Sequence, residues 1–226
     1  MTRTRLDRSP RPTARGWIHL VSSGIFFAAG VVLVICAFLW TTPTNAAAVI
    51  VYALGVTFLF GVSAAYHRGP WATQRTVTWW RRADHATIGI FIAASYTPLC
   101  VMTLPGATSA VILSVAWAMA LAIAFLNLVW VAHPRWLATL CYLVEGWLIV
   151  PVLPQLVRGA GWTVVWLLAA GGILYTLGAV VYALKWPGKN ARHMGFHEYF
   201  HAATVVAALL HYIAIFIVVR EMYAAA

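Results

Sequence analysis

The sequence predicts an all-α fold, a polytopic membrane protein built as a seven-transmembrane-helix bundle, and three observations lead there. Hydrophobic residues fill 63% of the 226 positions and charged residues only 9%, against roughly half and a quarter in soluble domains. Seven apolar stretches approach the ~20 residues that cross a hydrocarbon core of about 30 Å. Threaded through seven crossings, thirteen of the fifteen Lys and Arg residues fall on one side, as the positive-inside rule requires of a multi-pass chain.

The first stretch, 17–40, runs from Trp17 to Trp40. It exceeds a secretory h-region and lacks a clear small-residue cleavage site, so it reads as a true span. A basic arm, 1–16, precedes it with Arg3, Arg5, Arg8, Arg11 and Arg15. Span two, 46–67, ends in Ser63-Ala-Ala-Tyr-His67, and its loop carries Arg68, Arg75, Arg81 and Arg82. Span three, 86–104, follows Asp84-His85, and Pro98 is expected to kink it. Span four covers 109–131. Span five, 136–153, contains Glu145 and a second expected kink at Pro151, while Pro43, Pro105, Pro134 and Pro187 punctuate loops. Span six, 162–184, leads into Lys185, Lys189 and Arg192. Span seven, 197–219, opens with His197-Glu-Tyr-Phe-His201. One membrane domain, 17–220, and a short extracytoplasmic tail, 221–226, complete the expected organisation.

Charge distribution, rather than the net charge of +10 itself, carries the information. It marks topology, not nucleic-acid binding: the amino terminus is placed in the cytoplasm, the protein in the cell's inner membrane, and its partners are membrane lipids. Cys36, Cys100 and Cys141 are odd in number, scattered and within spans, which suggests neither a disulfide framework nor a cysteine metal site.

Ionisable groups inside a bilayer cost about 2.5 to 3.5 kcal/mol at a helix centre, so each is a functional candidate. His67, Asp84 and the pair His197 and His201 fall at the same, cytoplasmic, end of the seven-span topology. His197 and His201 are four apart and share one helix face, about 6 Å apart along the axis. Two such imidazoles can hold one metal. His67 is a candidate third ligand, and Ser63 lies one turn from it; Ser63 and Asp84 are candidates to bond a metal-bound water. Taken singly, each residue has a plainer reading: histidines resting at headgroup depth, or Asp84 pairing with Arg81 or Arg82 or capping span three. Convergence at one depth favours the metal. His85 neighbours Asp84 but is expected to point elsewhere, and His19, His133, His193 and His211 show no partners. Glu145 must be protonated or paired at mid-span, and the plainer reading is a carboxyl hydrogen-bonded to a neighbouring helix rather than a proton relay.

At these residues the chain resembles the hemolysin III family, the bacterial branch of the progestin and adipoQ receptor group. The matching pieces are Ser63 to His67, Asp84-His85-Ala-Thr-Ile-Gly-Ile-Phe, Tyr96-Thr-Pro98, Gly171 to Tyr175, Phe196 to His201, and His211-Tyr. The resemblance covers most of the chain and implies seven helices with a zinc ion near the cytoplasmic face, held by His67, His197 and His201 with Ser63 and Asp84 nearby. His19 falls where the family has a histidine, although span one otherwise matches loosely; Glu145 stands where an apolar residue is expected. Similarity to alkaline ceramidases implies hydrolysis of a lipid amide or ester, with Asp84 as base and Ser63 at the oxyanion. The alternatives are a non-enzymatic sensor of membrane homeostasis with structural zinc, and pore formation with cytolysis, which the family's name suggests. The only lysines, Lys185 and Lys189, stand at or beyond the end of span six, which argues against a retinal Schiff base.

Overall fold

The computed structural model describes residues 12, 14–130, 134–187 and 193–224, and these are all-helical. The helices are α1 (Trp17–Trp40), α2 (Pro43–Arg68), α3 (Gln74–Thr103), α4 (Gly106–Val129), α5 (Arg135–Gly146), α6 (Leu153–Leu184) and α7 (Phe196–Ala224), with a 3₁₀ turn at Val150–Val152 before α6. Most of the basic arm, Arg3 to Arg11, lies outside the described residues, as do His133, Lys189, Arg192 and the last two residues of the tail.

Helices α1 and α4 each bury one stripe and present the rest of their apolar surface outward, while α3 is buried over most of its length. Along α1 the buried residues are His19, Ser22, Phe26, Gly30, Leu33 and Ala37, a three-to-four-residue repeat. Leu20, Ile25, Phe27 and Val31 between them are exposed. Helix α4 repeats the pattern with Ser109, Ile112, Ala116, Ala120, Ile123 and Asn127 inside. A water-soluble bundle would place polar residues on these outer faces, so the surface is that of a chain solvated by lipid. Inside, small residues bring backbones together: a Cβ built on Gly30 would stand 3.1 Å from the Ala53 Cβ, and one on Gly55 only 2.6 Å from the Ala94 Cβ. Neighbours in sequence pack as neighbours in space, with α1 on α2, α2 on α3, α3 on α4 and α6 on α7, and α7 closes back onto α1.

Among the described residues six stretches are long and apolar enough to cross a membrane, and the longest of them, Trp136–Leu184, is a single 49-residue candidate. The expected span 136–153 is not one helix: α5 stops after 12 residues at Gly146, and Pro151 sits in the 3₁₀ turn rather than kinking a span. The Tyr96 hydroxyl manages this break. It reaches the Glu145 and Gly146 carbonyls at 3.1 and 2.9 Å and accepts the Ile149 N–H at 3.2 Å. Backbone groups freed by a helix end inside lipid need such a partner. Helix α6 begins nine residues before expectation and is bent at Gly161, whose φ of +76° only glycine adopts freely.

Two further boundaries differ from expectation. Helix α3 starts at Gln74, capped by the Thr73 hydroxyl on the Thr76 N–H at 3.1 Å, so Asp84 lies inside the helix and is not its cap. Helix α7 continues through Ala224 because nothing breaks it, taking in residues 221–224 of the expected tail. Pro98 is accommodated within α3, and Pro43 is the first residue of α2, where a missing N–H costs nothing.

Candidate metal centre and cavity

The carboxyl end of α2 and the amino end of α7 meet, and this junction gathers the predicted histidines. One nitrogen from each of His67, His197 and His201 lies within 4.8 Å of the others. His67 Nε2 and His197 Nε2 are 3.2 Å apart, and two imidazoles bound at ~2.0 to 2.1 Å in a tetrahedral site stand about 3.3 Å apart. His197 and His201 project from one face of α7, their ring centroids 4.4 Å apart. The donor set therefore fits an ion that favours imidazole, with a position left for a fourth ligand.

Ser63, one turn before His67 on α2, is buried. The Asp84 carboxyl lies next to it across the α2–α3 contact. The alternative pairing of Asp84 with Arg81 or Arg82 does not form; its other neighbour is His85, whose Nδ1 is 3.7 Å from Asp84 Oδ2. His85 therefore stands beside Asp84 instead of pointing elsewhere. That ring is fixed at 2.8 Å from the Arg81 carbonyl, and the Tyr142 hydroxyl donates to the His85 carbonyl at 2.8 Å.

Two contributors were not expected. His19, read in the sequence as having no partner, is buried on α1 and stacks on His201, centroids 3.7 Å apart and planes 11° from parallel. Glu198, between the two histidines of α7, is fully buried and forms an ion pair with Arg15. Its second oxygen accepts the Gly195 N–H at 2.9 Å. The available signal for Glu198 was an acidic residue in the opening turn of a span, directly beside a candidate ligand.

Glu145 does not behave as expected. It is fully buried, yet neither carboxyl oxygen has a hydrogen-bond partner among the described residues. It abuts α3 where Gly89 leaves room: a Cβ there would be 3.2 Å from Glu145 Oε2.

The histidines open onto a cavity of about 680 Å³ lined also by Ser63, Asp84, His85, Arg15, Arg81 and Arg82 at this end, and by Phe91, Leu168, Trp162 and Trp166 farther along. A cavity of this size suits a drug-sized or single-chain amphiphilic ligand. Its walls are largely apolar, and the three candidate ligands, Asp84, His85 and the arginines line one end.

These features define a class: a helical multi-pass membrane protein with a histidine cluster at one end of an apolar cavity. The profile of the family described as Haemolysin-III related matches residues 8–212, and the chain belongs to that family. It is similar to Hemolysin-3 of Bacillus cereus, 35% identical over 102 residues, which is 44% of this chain and 45% of that protein. It is also similar to the Hemolysin-3 homolog of Bacillus subtilis (strain 168), 34% identical over 105 residues, covering 45% and 48% respectively. The matched region thus spans about half the length of these relatives.

Proposed function

We propose that this protein binds zinc through His67, His197 and His201 and hydrolyses an amide or ester bond of a membrane lipid. The observation that carries the reading is the meeting of three imidazole nitrogens within 4.8 Å at the polar end of a lipid-sized cavity. The three histidines would hold the zinc, whose Lewis acidity would be available to water and to a carbonyl. The chain's own residues do the rest. Asp84 takes the proton of the attacking water, and the neighbouring Ser63 hydroxyl helps hold the oxyanion. The apolar walls hold the acyl chain and exclude bulk water.

The proposed topology is seven crossings, with the stretch 136–184 passing twice. Tyr142 bonds at the His85 end of α3, Tyr96 holds the break at its middle, and Gly159 abuts Thr103 at its far end, which supports a first crossing from 135 to about 160. Helix α6 then returns to α7. With the basic loops inside, the amino terminus and the histidine cluster face the cytoplasm of an inner membrane.

The test is metal content of detergent-purified protein by mass spectrometry, followed by hydrolysis assays on lipid amides and esters. About one zinc per chain, lost in the His197→Ala/His201→Ala variant, together with turnover that Asp84→Asn abolishes, is the expected result. No metal in chelator-free wild type sinks the zinc mechanism. Metal without turnover leaves the second reading, a membrane sensor, which the His67–His197 link between α2 and α7 favours.

A further inference from the structure

The opening turns of α3 carry a second cleft, apart from the α2–α7 junction. It has a volume of about 400 Å³ and is lined by Gln74, Arg75, Thr78, Trp79 and Arg82. Counted from Arg75, the other three of Thr78, Trp79 and Arg82 follow at helical spacings, so one face of α3 holds all four. Arg75 and Trp79 are exposed, and the Arg82 guanidinium lies over the Trp79 ring, 4.5 Å from its centroid. Because Trp79 is one turn nearer Arg75, that stack draws the head of Arg82 toward Arg75. The two arginines are separated by about 10 Å of helix rise, which their side chains can span to meet on one phosphate.

Neither arginine has a carboxylate partner among the described residues, where the ion pairs are Arg15 with Glu198 and His85 with Asp84. Arg82 Nε is sealed, so the contacts left to that side chain come from its terminal nitrogens. The Thr78 hydroxyl is committed to the Gln74 carbonyl at 2.9 Å. Two like charges on one helix face repel, and an anion held by both relieves this. The surroundings indicate which anion. Trp79 is 49% exposed, and Trp71 stacks on Trp80 with centroids 4.7 Å apart; such rings rest at headgroup depth in a bilayer. We propose that this cleft binds the phosphate of an anionic phospholipid from the leaflet at this end, held by Arg75 and Arg82, with the Trp79 ring against its glycerol. Arg82 borders the histidine cavity as well, but the inference requires neither zinc nor hydrolysis.

The test titrates full-length protein in neutral detergent with dioleoylphosphatidylglycerol or dioleoylphosphatidylcholine and counts bound lipid by native mass spectrometry. Both lipids carry a phosphodiester, but choline sets a cation beside it that two arginines repel. The wild type should hold one phosphatidylglycerol about tenfold more tightly than phosphatidylcholine, the gain expected of charge-assisted hydrogen bonds. Arg75→Gln/Arg82→Gln should bring phosphatidylglycerol down to the phosphatidylcholine level. Arg75→Gln alone, at an exposed position, should lose most of the preference without disturbing the fold. Arg81→Gln/Lys185→Gln removes the same charge from the same end, where Tyr182 just before Lys185 packs on His197, and should keep the preference. Equal binding of the two lipids by the wild type overturns the site. So does an equal loss in both double variants, which would mean diffuse attraction to basic charge.

Discussion

Arg15 and Glu198 form an ion pair that fastens the segment before α1 to the first turn of α7, with the Glu198 side chain 1% exposed and that of Arg15 19%. The same region is tied by the Ala14 N–H to the His193 carbonyl at 3.3 Å and by the Arg68 guanidinium over the Trp17 ring at 3.8 Å. Because Arg15 lines the cavity beside the histidines, the pair also fixes the wall of the candidate metal centre.

Breaking that pair from one side strands a buried charge. Arg15→Ala should lower stability by roughly 2 to 4 kcal/mol, seen as a lower melting temperature in detergent. Adding Glu198→Gln to Arg15→Ala should cost much less than its effect alone, because the interaction is already gone. Fully additive losses would show that the two residues do not act together.

The metal centre makes a sharper distinction. His67→Ala should abolish stoichiometric zinc. His19→Phe keeps an aromatic ring against His201 and should retain it, measured by metal analysis of the purified variants. Loss of zinc in His19→Phe would make His19 a ligand rather than a packing partner.

Asp84→Asn should lower turnover on a lipid amide or ester by about 10²-fold to 10⁴-fold, the usual range for a general base. Zinc content should stay unchanged. Ser63→Ala, which removes one hydroxyl beside Asp84, should cost less than Asp84→Asn. A rate unaffected by Asp84→Asn removes it from the proposed mechanism.

Glu145 is a buried carboxyl with no partner among the described residues, so replacing it should help the fold. Glu145→Met fills similar space without a polar group and should raise the melting temperature or leave it unchanged. A fall of several degrees would reveal a polar contact that outweighs the burial. Gly159→Ala offers the opposite case. A Cβ there would lie 1.9 Å from the Thr103 carbonyl oxygen, forcing backbone apart at a cost of about 1 to 3 kcal/mol or more.

That the chain is helical and membrane-embedded was legible from composition and pattern, because hydropathy is a local property and lipid solvates any apolar helix of sufficient length. The sequence also singled out His67, His197 and His201, since the i, i+4 spacing fixes two rings on one face and the alternation of crossings puts the third at the same depth. Ser63 and Asp84 were legible for the same reason. Other features depended on contacts between residues far apart in sequence. The stacking of His19 on His201 joins α1 to α7, and the Arg15–Glu198 pair spans nearly the whole chain. The break between α5 and α6 was hidden because its backbone groups are satisfied by Tyr96, on another helix, rather than by any local turn residue. The sealed-in Tyr175 hydroxyl and His211 Nδ1 were likewise invisible, since only packing shows which polar atoms are left without partners among the described residues. Hydropathy and helical period are written residue by residue; which buried groups meet is decided only when the helices pack.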